Sequence, residues 1–261
     1  MSWIDVIILL VSGVFVGFIN TLAGGGSIIS LSVFMFMGLP PAMANGTNRI
    51  AILMQTFTAA SSFKRQKVLD HKKALILAIP ATVASIIGAM IAIDINEKLF
   101  ERMFAVIMLI MLVFILYKPQ KYLYGRKDLM GKKTTVWQII IFFLIGLYGG
   151  FIHVGIGYFL LAGIVLSAGY DLVKANAIKV TIALFITIVA LVVFFFSDEV
   201  SWLYGLVMGV GTIAGALIAS RLAVSKGVNF VRWVIVVLII VFSTHFLGIV
   251  DIKELLGVQP K

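Results

Sequence analysis

Eight apolar stretches, at residues 4–38, 42–63, 74–93, 99–117, 137–168, 175–196, 201–221 and 230–250, are separated by short links that hold most of the charge. A helix needs about 20 apolar residues to cross the roughly 30 Å hydrocarbon core of a bilayer. Six stretches have that length; the first and fifth are far longer. With 62% hydrophobic and 12% charged residues, the chain departs from soluble domains, which are roughly half apolar and about a quarter charged. The pattern predicts an all-α, multi-pass integral membrane protein. Asp5 and the lack of Lys or Arg in MSWIDVIILL argue against a cleaved signal peptide. The absence of cysteine excludes disulfides and thiolate metal sites. The net charge of +10 sits mainly in the links, so it reads as a topology signal and not as a nucleic-acid surface.

Residues 4–38 as one helix would be about 52 Å long at 1.5 Å per residue. The run FINTLAGGGSIIS, residues 18–30, divides the stretch at Gly24, Gly25 and Gly26. The resulting arms, 4–20 and 27–38, are about 26 and 18 Å long, too short to cross comfortably. A re-entrant hairpin that enters, turns at the glycines and leaves on the same side fits both lengths. Non-helical backbone is tolerated at that depth where protein or a polar cavity satisfies it. The fifth stretch repeats the break as GGFIHVGIGYFLL, residues 149–161.

Alignment of GFINTLAGGG (17–26) with GFIHVGIG (150–157) pairs Asn20 with His153 and Gly26 with Gly157. MGLPPAMANGTNR (37–49) then matches AGYDLVKANAIKV (168–180), SIIGAM (85–90) matches TIAGAL (212–217), and LFERMF (99–104) matches NFVRWV (229–234). The chain reads as two repeats, 1–117 and 137–261, joined by a basic link at 118–136. Link 64–73 is basic and 94–102 acidic, whereas in the second repeat 197–199 (SDE) is acidic and 221–232 carries Arg221, Lys226 and Arg232. Positive charge marks the cytoplasmic side, so the repeats are predicted to be inverted. Each then has an odd number of crossings: a glycine-broken hairpin plus three transmembrane helices.

This arrangement resembles the TauE/SafE family, also called the sulfite exporter or TSUP family, over nearly the whole chain. The likeness rests on the two glycine breaks, the Ala44-Asn45 and Ala175-Asn176 elements after each hairpin, and the Gly88-Ala89 and Gly215-Ala216 pairs. The resemblance implies a secondary transporter of small sulfur-containing or carboxylate anions, such as sulfite, sulfoacetate, other organosulfonates or thiosulfate. The expected location is the plasma membrane, the bacterial inner membrane.

The residues point to the same chemistry. A broken helix leaves backbone N–H groups and a positive dipole end at the start of its second arm, and glycines let an anion approach them. Gly24, Gly25, Gly26 and Ser27 supply this in the first repeat; Gly155, Ile156 and Gly157 supply it in the second. Close packing of small residues is the competing reading, and it is preferred for Gly88, Gly211 and Gly215. After the first hairpin come Asn45, Asn48 and Arg49; after the second come Asn176 and Lys179. A cation within a span is costly unless it faces a cavity or a partner. Lys179 has no acidic residue within one turn, which suggests an anionic substrate as partner; snorkelling to the headgroups competes for it and for Arg49. Asn48 is the matched position to Lys179. His153 is either a hydrogen-bonding core residue or a proton carrier.

All eleven carboxylates lie near ends or in links, so none offers a buried ion ligand. Three scattered histidines and no cysteine give no catalytic constellation, so an enzyme is not expected. The partners expected are the lipid bilayer, a small anion and a coupling proton or sodium ion; no cofactor or metal is implied. A passive anion channel of the same architecture is the alternative function.

Overall fold

A computed structural model describes residues 1–22, 24–117, 125–126 and 128–222. The eighth apolar stretch, with Lys226 and Arg232, lies outside them. The described chain is all helical: α1 (Trp3–Leu22), α2 (Ser27–Phe36), α3 (Pro41–Arg65), α4 (His71–Asp94), α5 (Glu97–Tyr117), α6 (Val136–Phe151), α7 (Ile156–Ala168), α8 (Leu172–Phe196) and α9 (Trp202–Leu222). Helices α1, α4, α8 and α9 are long and apolar enough to cross a membrane.

Helix starts follow from local chemistry. Ser2 and Asp5 exchange backbone-to-side-chain hydrogen bonds at the start of α1, and Thr135 with Gln138 forms a capping box before α6. Asp70 accepts from the Lys73 amide and Asp171 from those of Val173 and Lys174. Each satisfies amides that have no partner in the first turn of a helix. Pro41 takes the first position of α3, where its missing N–H is harmless.

Both glycine-broken stretches do break. The first arm is longer than expected: α1 has 20 residues, about 30 Å, and reaches span length by itself, correcting the shorter arm read from the sequence. Its partner α2 has only 10 residues, about 15 Å. Helices α6 and α7 have 16 and 13 residues.

Packing registers give the helix directions. Glycines set the α1–α9 contact: a Cβ on Gly211 would strike the Leu10 carbonyl, and one on Gly215 the Val14 carbonyl. Residue numbers rise together, so α1 and α9 are parallel. Gly146 against Ala81 and Gly150 against Ser85 make α6 parallel to α4. Helix α3 runs with α9, from Thr47 beside Gly205 to Ser62 bonded to Ser220 at 2.8 Å. Helices α4 and α8 share one cluster at their starts (Ala74, Ala78, Ala175, Ile178) and another at their ends (Ala89, Ala92, Ala190, Phe194). Across the middle, Gly46 meets Phe194 while Ala59 and Phe63 meet Ala177 and Val180, so α3 and α8 are antiparallel.

Two bundles result, α1/α3/α9 and α4/α6/α8, joined along α3 and α8. Each takes one helix from the other half of the sequence, α9 in the first and α4 in the second. Gly88, Gly211 and Gly215 serve packing as predicted, and Gly13, Gly17, Gly146 and Gly150 complete the same close contacts.

The two ends differ in charge. Lys73 donates to Thr134 (3.0 Å), Tyr170 to Asp70 (2.5 Å) and Gln66 to the Ser220 carbonyl (3.2 Å). These contacts gather Lys64, Arg65, Lys67, Lys72, Lys133, Lys174 and Arg221 at one end. At the opposite end Asp94, Glu97, Asp198 and Glu199 collect. There, partial burial and the nearby Glu97 carboxylate raise the Glu199 carboxyl above its ordinary value. The basic end is the one that the positive-inside rule expects on the cytoplasmic side. Exposed Trp3 and Trp202 mark one interface and exposed Trp137 the other, as membrane-boundary aromatics do.

Candidate functional site

The two breaks meet. Gly24 has φ +100° and lies with its backbone against Gly157, so a side chain there would be both strained and blocked. Gly155 has φ +72° and begins α7 in the left-handed conformation. Gly25 faces the Tyr158 ring.

The start of α2 is more occupied than the sequence suggests. Asn20, near the end of α1, turns its Oδ1 onto the Gly26 amide at 2.8 Å, while its Nδ2 donates to Ser27 Oγ at 3.4 Å. One of the amides expected to face an anion is therefore held by a side chain of the same hairpin. Asn20 fastens the two arms together across the break.

Arg49 is fully buried on α3. Its Nη1 donates to the Gly149 carbonyl (2.7 Å), and its Nη2 to the Gly150 carbonyl (2.8 Å) and to Asn45 Oδ1 (3.1 Å). Asn45 Nδ2 donates to the Phe151 carbonyl at 2.8 Å. Side chains of α3 thus satisfy carbonyls of the last turn of α6, where the helix dipole is negative and no intrahelical donor remains. The guanidinium also lies 5.5 Å from the centre of the Phe194 ring, a cation–π contact. Snorkelling is overturned for Arg49, whose charge is spent inside the protein.

Lys179 repeats this on the other side. Buried at 2% exposure on α8, it donates from Nζ to the Asn20 carbonyl (3.2 Å) and the Thr21 carbonyl (3.0 Å). These are the carbonyls two and one positions before the last residue of α1. Arg49 takes the same two positions relative to the last residue of α6. Each bundle therefore closes with a cation the carbonyl end of a helix in the other, α1 or α6, just before its break. Arg49 is thus the counterpart of Lys179 in role; Asn48, the counterpart read from the alignment, accepts from Ser30 Oγ at 2.6 Å. Among the described residues Asn48 Nδ2 and Asn176 Oδ1 are buried without a hydrogen-bond partner.

Asn20, Gly24, His153, Gly157 and Lys179 line one small cavity together with Gln55 and Thr56. Its free volume is about 20 Å³ for a water-sized sphere, room for a single water. Asn45, Asn48, Arg49, Asn176, Gly25, Gly26, Ser27 and Gly155 are not among the residues that line it. The sequence reading passed over Gln55, which donates to Thr21 Oγ1 at 3.0 Å. An amide in the middle of an apolar span was the available signal.

Buried cations, helix ends of both signs and a polar cavity where two broken helices touch define a multi-pass membrane transporter. The chain belongs to the sulfite exporter TauE/SafE family, whose model matches residues 9–246. It is 29% identical over 241 residues to a probable membrane transporter protein, ORF9, of Sinorhizobium sp, covering 92% of this chain and 91% of that one. It is 25% identical to a probable membrane transporter protein of Haemophilus influenzae, over 88% of this chain and 90% of the relative. To the probable membrane transporter protein YfcA of Escherichia coli it is 28% identical, over 88% and 85%. No solved structure matches.

Proposed function

We propose that the protein is a secondary transporter moving a small oxygen-rich anion, sulfur-containing or carboxylate, across the bacterial inner membrane by alternating access. Sulfite, sulfoacetate and other organosulfonates are the substrates to test first. The carrying observation is Lys179, a buried ammonium lining the cavity between the hairpin tips. Its partners are neutral carbonyls, so no acidic side chain competes with an anion for it. The amide-rich starts of α2 and α7 add positive dipole ends.

The halves are read as inverted repeats, each with a re-entrant hairpin. In support, matched helices run oppositely: α1 with α9 but α6 with α4, and α3 antiparallel to α8. Helix α2 supports the hairpin by returning toward the end where α3 begins, with Ser30 beside Asn48. Inverted repeats provide two mirrored conformations that open to opposite sides. A cavity sized for one water, sealed by Gly24 on Gly157, suits a carrier in a closed state better than a standing pore. Sulfite and sulfoacetate exceed that space, so loading requires the tips to part.

Counterflow separates carrier from channel. Proteoliposomes preloaded with unlabelled sulfoacetate should transiently concentrate labelled sulfoacetate against its gradient. Simple equilibration, with no overshoot, would establish the channel instead.

A further inference from the structure

We propose that His153 carries a proton that moves with the anion, making the transporter an anion–proton symporter; this rests on the anion-transport reading above. The starting point is one hydrogen bond: Arg49 Nη1 lies 3.1 Å from His153 Nδ1. A guanidinium has only donors and stays charged. With Arg49 as the donor we assign His153 Nδ1 as the acceptor, the imidazole as neutral and its proton to Nε2; the Gly149 carbonyl also reaches the ring. The ring is 4% exposed and lines the cavity shared by Lys179, Asn20 and Gly157.

The charged and titratable groups facing His153 can be taken element by element. From α3 comes Arg49 and from α8 comes Lys179. Its own hairpin brings Tyr148, whose hydroxyl donates to the Val154 carbonyl at 2.6 Å; Tyr158 follows on α7 with its ring against Gly25. The first hairpin presents Asn20 and Gly24, and α5 presents Met111 beside Gly155. Among the described residues no carboxylate is present. With two cations beside it, the imidazole of the closed, unloaded site stays neutral, because a proton on Nδ1 would turn the Arg49 donor against another donor.

An anion between the tips reverses that balance. It screens Arg49 and Lys179 from the ring and offers oxygen acceptors to an imidazolium, so proton affinity at Nδ1 rises when the anion arrives. By linkage the anion binds more tightly when His153 is protonated. One proton taken from solution on His153 then travels with one anion, and no other bond is made or broken. The first repeat has Asn20 at the matched position, so the proton site belongs to one half only.

The test is proton counting with sulfoacetate, which has no group titrating near neutrality. Calorimetry of the purified, full-length protein in buffers of different ionisation enthalpy should give about one proton taken up per anion. Kd should weaken about tenfold per pH unit between the proton affinity of the unloaded ring, below the ordinary histidine value of about 6.5, and that of the anion-loaded ring, and level off above the latter. In His153→Asn, which places the first repeat's residue at this position, and in His153→Gln, proton uptake and slope should vanish while melting stays cooperative. A pH-independent Kd without proton uptake in the native protein overturns symport and leaves the transporter reading standing. Undiminished uptake in both variants moves the proton to Lys179 and overturns the assignment to His153. Failure of sulfoacetate, sulfite and isethionate to bind at any pH overturns the underlying reading, and this inference with it.

Discussion

Removing the Lys179 charge separates a structural cation from a binding one. Lys179→Met keeps the length of the side chain and deletes its ammonium. The Asn20 and Thr21 carbonyls then lose two hydrogen bonds from a charged donor, about 1.5–3 kcal/mol each. Against this, the protein no longer buries an ammonium whose desolvation costs several kcal/mol. The opposed effects nearly cancel, so the melting temperature without ligand should move by about 5 °C or less. Binding has no such compensation. A unit negative charge about 4 Å from the ammonium, at an effective dielectric of about 20, gains about 4 kcal/mol, roughly a thousandfold in Kd. Thermal-shift and calorimetric titration of native protein and variant with sulfoacetate, sulfite and taurine would measure both effects. Lys179→Arg, which supplies to α1 the same group that Arg49 supplies to α6, should keep part of the affinity with altered selectivity. A Kd in Lys179→Met within about threefold of the native value would refute this reasoning and leave Lys179 as a helix clamp alone.

Topology is testable directly because the native chain has no cysteine. Single cysteines at Val68 and Lys132 should be shielded from an impermeant maleimide in intact cells, and one at Glu199 should label; labelling of Val68 with Glu199 shielded would reverse the assignment of the basic end. Gly24→Ala puts a side chain at φ +100° against the Gly157 backbone, a conformation costing about 1–2 kcal/mol for an ordinary residue. Transport should fall steeply in Gly24→Ala and in Gly157→Leu while expression persists, whereas Gly88→Leu, driven into the Leu147 carbonyl, should reduce folded yield first. Normal counterflow in both hairpin variants would move the site away from the tips.

Helix positions, both breaks and the burial of Lys179 were legible because they are local: apolar length, glycine placement and a cation inside a span. The end of α1 was not. The sequence reading stopped the arm at Asn20, but Thr21 and Leu22 remain helical, and their turn is held by a lysine 158 residues away from Thr21. Arg49 is similar, since its role depends on carbonyls about 100 residues distant. Backbone acceptors leave no side-chain pattern, so a sequence shows the donor and conceals what it holds. The bond of Asn20 to the Gly26 amide was hidden for a related reason: its partner is a backbone group that only the folded turn brings within reach.

The crossed bundles carry a consequence for how such a chain can exist at all. Among the described residues, helix α4 sets its Gly88 face on α6, and α1 sets its Gly13 and Gly17 face on α9. A half-length polypeptide would lack the helices that cover both faces, and a second copy inserted the same way up could not help, because α1 and α4 are covered by helices parallel to them from the other half of the sequence. Two copies threaded in opposite orientations would satisfy both faces at once. On the inverted-repeat reading proposed above, the single chain amounts to a swapped, dual-topology dimer made covalent, with the segment between α5 and α6 as the tether that fixes the two copies at equal number.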